Sequence, residues 1–277
     1  MPTGPAPTTL ADVNAAITAL WPLDTAEAWD APGLLSGDPS AEVHRIHLAV
    51  DAVLATIDEA ISLEAELLLV HHPLLLRGVT HIAEDSAKGA AVARLIRAGC
   101  ALVAAHTNAD IVERGTSAML ATALGLTDTR ALVPGTDPAV GLGRIGHLVE
   151  PLSLGALARR LAEVLPATAS GVRVAGEYDR EVRTVALCAG AGDSLLGHAD
   201  VRAADVYITS DLRHHPASEA MESAHVSGGP ALIDVSHWAS EWLWLDAAAE
   251  QLRAALPHIS VSVSDLRTDP WDFAILQ

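Results

Sequence analysis

Histidines and carboxylates stand directly after short apolar runs in this chain. Leu67-Leu68-Leu69-Val70 leads into His71-His72-Pro73, and Ala101-Leu102-Val103-Ala104-Ala105 leads into His106-Thr107-Asn108-Ala109-Asp110. Ala231-Leu232-Ile233-Asp234-Val235 leads into Ser236-His237, with Glu241 four residues on. Short apolar runs flanked by helical patterns read as buried parallel strands. In an open α/β sheet, ligands gather beyond the carboxyl ends of such strands. Three strand ends would then bring imidazoles and carboxylates to one edge, a donor set for one or two divalent cations.

Each candidate also has an ordinary reading. His71 and His72 are adjacent, so in a fully extended strand their side chains diverge; where the chain turns at Pro73 both can face one pocket. The pair could equally be a hydrogen-bonded surface pair. Asp110 could cap a turn, and Glu241 could neutralise a helix N-terminus. Against this, His237 and Glu241 are spaced i, i+4, which puts both on one helix face, and a carboxylate with two oxygens can bridge two cations. The conjunction of the three strand ends, more than any single residue, points to metal.

The elements that would position these groups alternate. Leu10 to Leu20 reads as a helix, and 43–50 as a strand, with Asp51 able to cap a helix carrying Leu54, Ile57 and Ile61. A strand at 66–70 precedes a helix opened by Ser86 and stopped by Gly99. A strand at 100–105 precedes a helix near 116–124. This order predicts an α/β fold with a parallel, doubly wound sheet. The turn-rich stretch 127–138 reads as a boundary. Beyond it strands are expected near 140–149, 171–175, 182–188, 205–209 and 231–235, with helices at 153–165 and after Pro216. A closing helix bears Trp238, Trp242, Leu245, Ala249 and Leu252 on one face. The tripeptide His-His-Pro recurs at 71–73 and 214–216; an internal duplication and coincidence both account for it.

Length and composition set limits. The 277 residues allow one large or two ordinary domains. Aromatic residues are only 3% of the chain, so aliphatic residues must fill the core. A formal charge of −18 argues against a broad nucleic-acid surface, yet permits a small anionic substrate if a cation reverses the local sign. Cys100 and Cys188 stand far apart inside apolar runs and read as buried free thiols, consistent with a reducing cytoplasm. The start, Met1 to Pro7, lacks the features of a signal peptide. No apolar run approaches the roughly 20 residues that span a bilayer. A soluble, cytoplasmic protein is expected.

Other signals carry less. Ala189-Gly190-Ala191-Gly192-Asp193-Ser194 follows a strand and could cradle an anion, but it lacks the full dinucleotide or phosphate-loop pattern, and a plain turn is the preferred reading. No cofactor-binding residues are assigned. His44, His47, His81, His147, His198, His225 and His258 read as structural or solvent-facing. Trp21, Trp29 and Trp271 read as packing residues.

Five ordered motifs resemble the type 2 GTP cyclohydrolase I family, also called the NIF-three-like family, over nearly the full length. They are Ala26-Glu27-Ala28-Trp29-Asp30-Ala31-Pro32-Gly33-Leu34, His71-His72-Pro73-Leu74, Ala105-His106-Thr107-Asn108-Ala109-Asp110, Thr209-Ser210-Asp211-Leu212-Arg213-His214-His215, and Asp234-Val235-Ser236-His237-Trp238-Ala239-Ser240-Glu241. The chain departs from the family pattern at Ala31-Pro32, usually Asn-Val, and at Ser210 and Ser236, usually Gly. The resemblance implies two similar α/β units with mixed or parallel sheets, one inserted into the other: 1–128 plus 232–277 as a discontinuous metal-binding domain, and 129–231 as the insert. It implies a toroidal homohexamer. It also implies His71, His72, Asp110, His237 and Glu241 as ligands of two divalent metals (Zn, Fe, Mn, Co or Ni), with Glu241 bridging.

Three functions follow as expectations. The first is a metal-dependent hydrolase of the GTP cyclohydrolase kind, in which activated water attacks C8 of guanine and formate is later released; His215 and His106 are candidate proton carriers. The second is a phosphohydrolase or amidohydrolase acting on another small metabolite. The third is a non-catalytic, metal-holding hexamer that serves protein interaction. The substrate is expected to be a small molecule, with a nucleotide as the candidate.

Overall fold

A computed structural model describes residues 7–137 and 139–275. Met1–Ala6, most of the Pro-rich start, and Pro138, the last residue of the turn-rich stretch, lie outside the described residues. In chain order the elements are α1 (Leu10–Leu20), β1 (Gly33–Ser36), β2 (Arg45–Asp51), α2 (Leu54–Ser62), β3 (Leu67–His72), α3 (Ala87–Ala98), β4 (Ala101–Ala104), α4 (Thr107–Asp110) and α5 (Thr116–Ala123). There follow β5 (Leu126–Arg130), β6 (Val133–Pro134), β7 (Gly141–Leu142), β8 (Arg144–Ser153), α6 (Leu154–Val164), β9 (Arg173–Ala175) and β10 (Glu181–Ala191). The chain closes with α7 (Ala199–Ala203), β11 (Val206–Ser210), α8 (His214–Ser227), β12 (Ala231–Val235), α9 (His237–Ala255) and β13 (Ser260–Val263). The fold is mixed α/β with more than one sheet.

Two compact units are present: 1–109 with 245–268, and 110–244 with 269–277. The first holds a sheet in the order β1-β4-β3-β2-β13. Its strands are parallel except β1, which runs antiparallel to β4. Val70 of β3 is in register with Ala104, the last residue of β4, so His71 in β3 and His106 beyond β4 lie at that edge. On one sheet face Ala49, Leu68, Val70, Leu102 and Ala104 are buried with Ile57 of α2 and Leu95 of α3. The capping of α3 follows expectation: Ser86 Oγ accepts from Gly89 N at 3.2 Å, and Gly99 at φ +68° ends the helix. Asp51 does not cap α2, whose N-cap is Val53. As the last residue of β2, opposite His72 of β3 in register, its carboxylate is turned to that histidine instead.

The second unit holds a sheet in the order β5-β8-β10-β11-β12-β9. β10, β11 and β12 are parallel, whereas β5, β8 and β9 pair antiparallel. A purely parallel reading therefore fails for both sheets, because β1 in the first and β5, β8 and β9 in the second pair antiparallel. The unit limits also differ from 128/129 and 231/232. β5 pairs with β8, and β12 with β11 and β9, so ladder hydrogen bonds carry 126–130 and 231–235 into the second sheet. The two His-His-Pro tripeptides take different local structures: His71 and His72 end a strand, while His214 and His215 open a helix. No helix among the described residues is long and apolar enough to cross a membrane.

Candidate metal centre

In the first unit, His71 and His72 are the last two residues of β3. Their ring centroids lie 5.0 Å apart. His106, beyond β4, completes the group, with its ring 5.1 Å from His71 and 5.5 Å from His72. One ring nitrogen from each of the three lies within 4.8 Å of the others, a spacing that could hold a metal ion.

Each of these rings is fixed through Nδ1. His71 Nδ1 stands 2.8 Å from Ala105 O, His72 Nδ1 2.7 Å from Asp51 Oδ1, and His106 Nδ1 2.8 Å from Asp30 Oδ1. A backbone carbonyl or an ionised carboxylate only accepts, so each Nδ1 carries the proton and donates. With the Nδ1 proton so placed, the lone pair of a deprotonated ring lies on Nε2, the arrangement a metal ligand requires, with the oriented Nδ1–H partner usual at metal-bound histidines. Asp30 has a fully buried side chain. Burial works against its charge, but hydrogen bonds from His106 and Thr107 hold its carboxyl below the ordinary value. Asp51 is tied a second time by the Thr268 hydroxyl.

The second unit repeats the device. Ser236 Oγ accepts from Ala239 N at 3.2 Å, which caps the start of α9. His237 and Glu241 follow one helical turn apart, with His237 Nε2 2.9 Å from Glu241 Oε1. His237 Nδ1 lies 2.8 Å from Asp211 Oδ2. Asp211 reaches it from a left-handed backbone at φ +57°, a conformation that costs a non-glycine residue energy and concentrates at functional sites. With carboxylates at both nitrogens His237 carries two protons. Burial opposes that charge, but the negative charge of Glu241 and the hydrogen bonds to Asp211 and Glu241 raise its pKa from 6.5 to about 11. The carboxylates of Asp211 and Glu241 thus flank and favour the positive charge of this ring.

Gly190 makes room for this pair. It lies in β10 at φ +70°, and a Cβ there would stand 2.3 Å from Glu241 Oε1 and 3.3 Å from His237 Nε2. Its amide donates to Ser240 Oγ at 2.9 Å, and that hydroxyl donates to His237 O at 2.8 Å, which binds the strand end to the first turn of α9. The Ala189–Ser194 stretch is thus neither an open anion cradle nor a plain turn at its start, because the amides of Ala189 and Gly190 are taken by Ser117 and Ser240. Asp110 accepts from Thr116 Oγ1 at 2.5 Å. Arg144, buried, donates to the carbonyls of Gly141, Gly143 and Val112 and so fixes the segment after Asp110. Desolvation lowers its pKa.

The structure places the expected residues as follows. His71, His72 and His106 form one group; His237 and Glu241 form another. His215 is exposed in the first turn of α8, its ring 5.1 Å from that of His214. Cys100 and Cys188 are free and buried. Burial pushes their thiols up to about 11 and about 12, the latter helped by the negative charges of Asp110 and Glu241, so neither serves as a nucleophile. Trp21 is fully buried, but Trp29 and Trp271 are 61% and 65% exposed and are not packing residues. Sequence reasoning missed the roles of Asp30, Asp51 and Asp211 as Nδ1 acceptors. Asp30 and Asp211 lay inside quoted motifs, and Asp51 ends the apolar run just before the first histidine strand.

The donor chemistry of the three-histidine group fits a divalent metal: three imidazoles whose Nδ1 atoms are engaged by oxygen acceptors and whose ring nitrogens lie within 4.8 Å of one another. A model of the Duf34/NIF3 (NGG1p interacting factor 3) family matches residues 8–270. A Streptomyces coelicolor protein named "GTP cyclohydrolase 1 type 2 homolog" is 48% identical over 269 residues, covering 95% of this chain and 93% of that one. Among solved structures, a Bacillus cereus protein related to NIF3 superposes with a TM-score of 0.87 at 24% identity, covering 96% of this chain and 99% of that one, a likeness of fold. A Staphylococcus aureus hypothetical protein has a TM-score of 0.87 at 26% identity, covering 97% and 100%. The chain belongs to the Duf34/NIF3 family.

Proposed function

We propose that this protein is a divalent-metal-dependent hydrolase of the GTP cyclohydrolase kind, holding two cations per chain. The ligands in this reading are His71 and His72 of the first unit and Asp110, His237 and Glu241 of the second. One observation carries it: His71 and His72 each have Nδ1 fixed on an oxygen acceptor, which leaves Nε2 for a cation. Bound divalent cations would supply Lewis acidity and lower the pKa of water towards neutrality.

The chain's own residues supply the rest. Asp51 and Asp211 orient the imidazoles, and Asp30 holds His106 with its Nε2 beside the donors. His106 is therefore placed to carry a proton in the reaction, and His215 is the second candidate. The name of the Streptomyces coelicolor relative, "GTP cyclohydrolase 1 type 2 homolog", supports GTP as substrate, and the corresponding reaction opens the guanine ring at C8 and releases formate. The resemblance supports a homohexamer with this closed symmetry setting the assembly.

The test couples metal analysis of protein as isolated to formate release from GTP. Two metal equivalents with formate formation support the reading. Protein that carries metal and releases no formate overturns the cyclohydrolase assignment; activity on phosphoesters or cyclic amides instead would move it to another hydrolase class.

A further inference from the structure

We propose that Trp29 is a stacking platform for a planar heteroaromatic ring of the substrate. The proposal rests on the reading above, in that the histidine group is taken as the reaction centre. The indole is 61% exposed, although the chain has only nine aromatic residues of the Phe, Tyr and Trp types to fill its core. Its ring meets His106 edge-on, with centroids 5.8 Å apart and planes at 80°. It therefore stands in water directly beside the three-histidine group.

Mobility does not explain that exposure, because the loop carrying Trp29 is pinned at both sides of it. Glu27 N donates to Thr107 Oγ1 at 3.0 Å, and Asp30 N donates to Glu27 O at 2.9 Å. The buried Asp30 carboxylate then accepts from His106 Nδ1 at 2.8 Å, from Thr107 N at 3.0 Å and from Thr107 Oγ1 at 2.5 Å. The same carboxylate thus fixes both the histidine and the residue next to the tryptophan. A large apolar ring held rigidly in solvent forgoes the free energy of burial, which a stacked ligand would restore. The flat face selects a flat partner, and sequence-tolerant base–aromatic stacking has this character.

Binding of guanosine, which has the base without phosphate, and of ribose 5-phosphate, which has phosphate without the base, is measured by calorimetry on protein as isolated. Wild type should bind guanosine, and Trp29→Ala should weaken that binding about tenfold, the scale of losing one base stack. Trp29→Phe should stay within about threefold of wild type, since it keeps a ring. Binding of ribose 5-phosphate, metal content and assembly mass should be the same in all three. Equal guanosine affinity in Trp29→Ala overturns the proposal, as does a wild type that binds neither guanosine nor adenosine. A changed assembly mass in Trp29→Ala also overturns it, by making the residue an interface anchor. Trp29-dependent guanosine binding without formate release from GTP would leave this inference standing and remove only the cyclohydrolase assignment.

Discussion

Replacing Gly190 by alanine isolates the geometry of the second donor group. The new Cβ would lie 2.3 Å from Glu241 Oε1, about 1.1 Å short of the 3.4 Å at which ordinary contact begins. Metal–oxygen bonds tolerate deviations of about 0.2 Å, so a carboxylate displaced that far leaves coordination range. The left-handed backbone at φ +70° adds a separate cost of about 1–2 kcal/mol to folding. Gly99 provides the control, since its φ is +68° and a Cβ there meets nothing within 4 Å. Gly99→Ala should lose the same ~1–2 kcal/mol in urea unfolding and keep its metal. Gly190→Ala should lose that stability and also bind metal at least about 100-fold more weakly in chelator competition, the upper end for a disturbed ligand support. Wild-type metal affinity in Gly190→Ala would refute the role of Glu241 as a donor.

Asp51→Ala frees the His72 ring, and metal affinity should fall about 10–100-fold in the same competition; Thr268→Val, which removes only the second tie on Asp51, should cost less. In metal-free protein, the raised pKa of His237 gives stability that is fully present below pH 6.5 and fades as pH rises through about 11. Unfolding curves across that window should show the decline, and Glu241→Gln should flatten it. Arg144→Met strands three carbonyls that the guanidinium now satisfies, and denaturant unfolding should show a loss of roughly 2–4 kcal/mol.

The donor types and their strand ends were legible in the sequence because apolar runs ending in histidine are local signals. Leu67–His72 and Ala231–Val235 are strands as the pattern implied, and Ser86 and Gly99 bracket a helix as their side chains dictate. The mixed sheet direction was not legible. β1 and β9 are short strands whose orientation is set by partners far along the chain, Ala101–Ala104 for one and Ala231–Val235 for the other. The acceptors behind the histidines escaped for a related reason. Asp30 lies 76 positions from His106 and Asp51 21 positions from His72, so no periodicity links them. Asp51 in particular offered a plausible local role as a helix cap, and the tertiary contact took precedence.

The sheet of the first unit has a consequence for how the chain is made. Its margin strand β13 lies parallel to β2, with Ser262 opposite His47, and those residues are 215 positions apart. During synthesis β2 emerges well before β13, so its outer hydrogen-bonding edge stays open until residues 260–263 have left the ribosome. Contacts closed over such long loops slow folding, and an open strand edge invites pairing with other chains. Nascent protein of this kind depends on that strand for relief from aggregation, so interruption of translation shortly before residue 260 should yield an insoluble product.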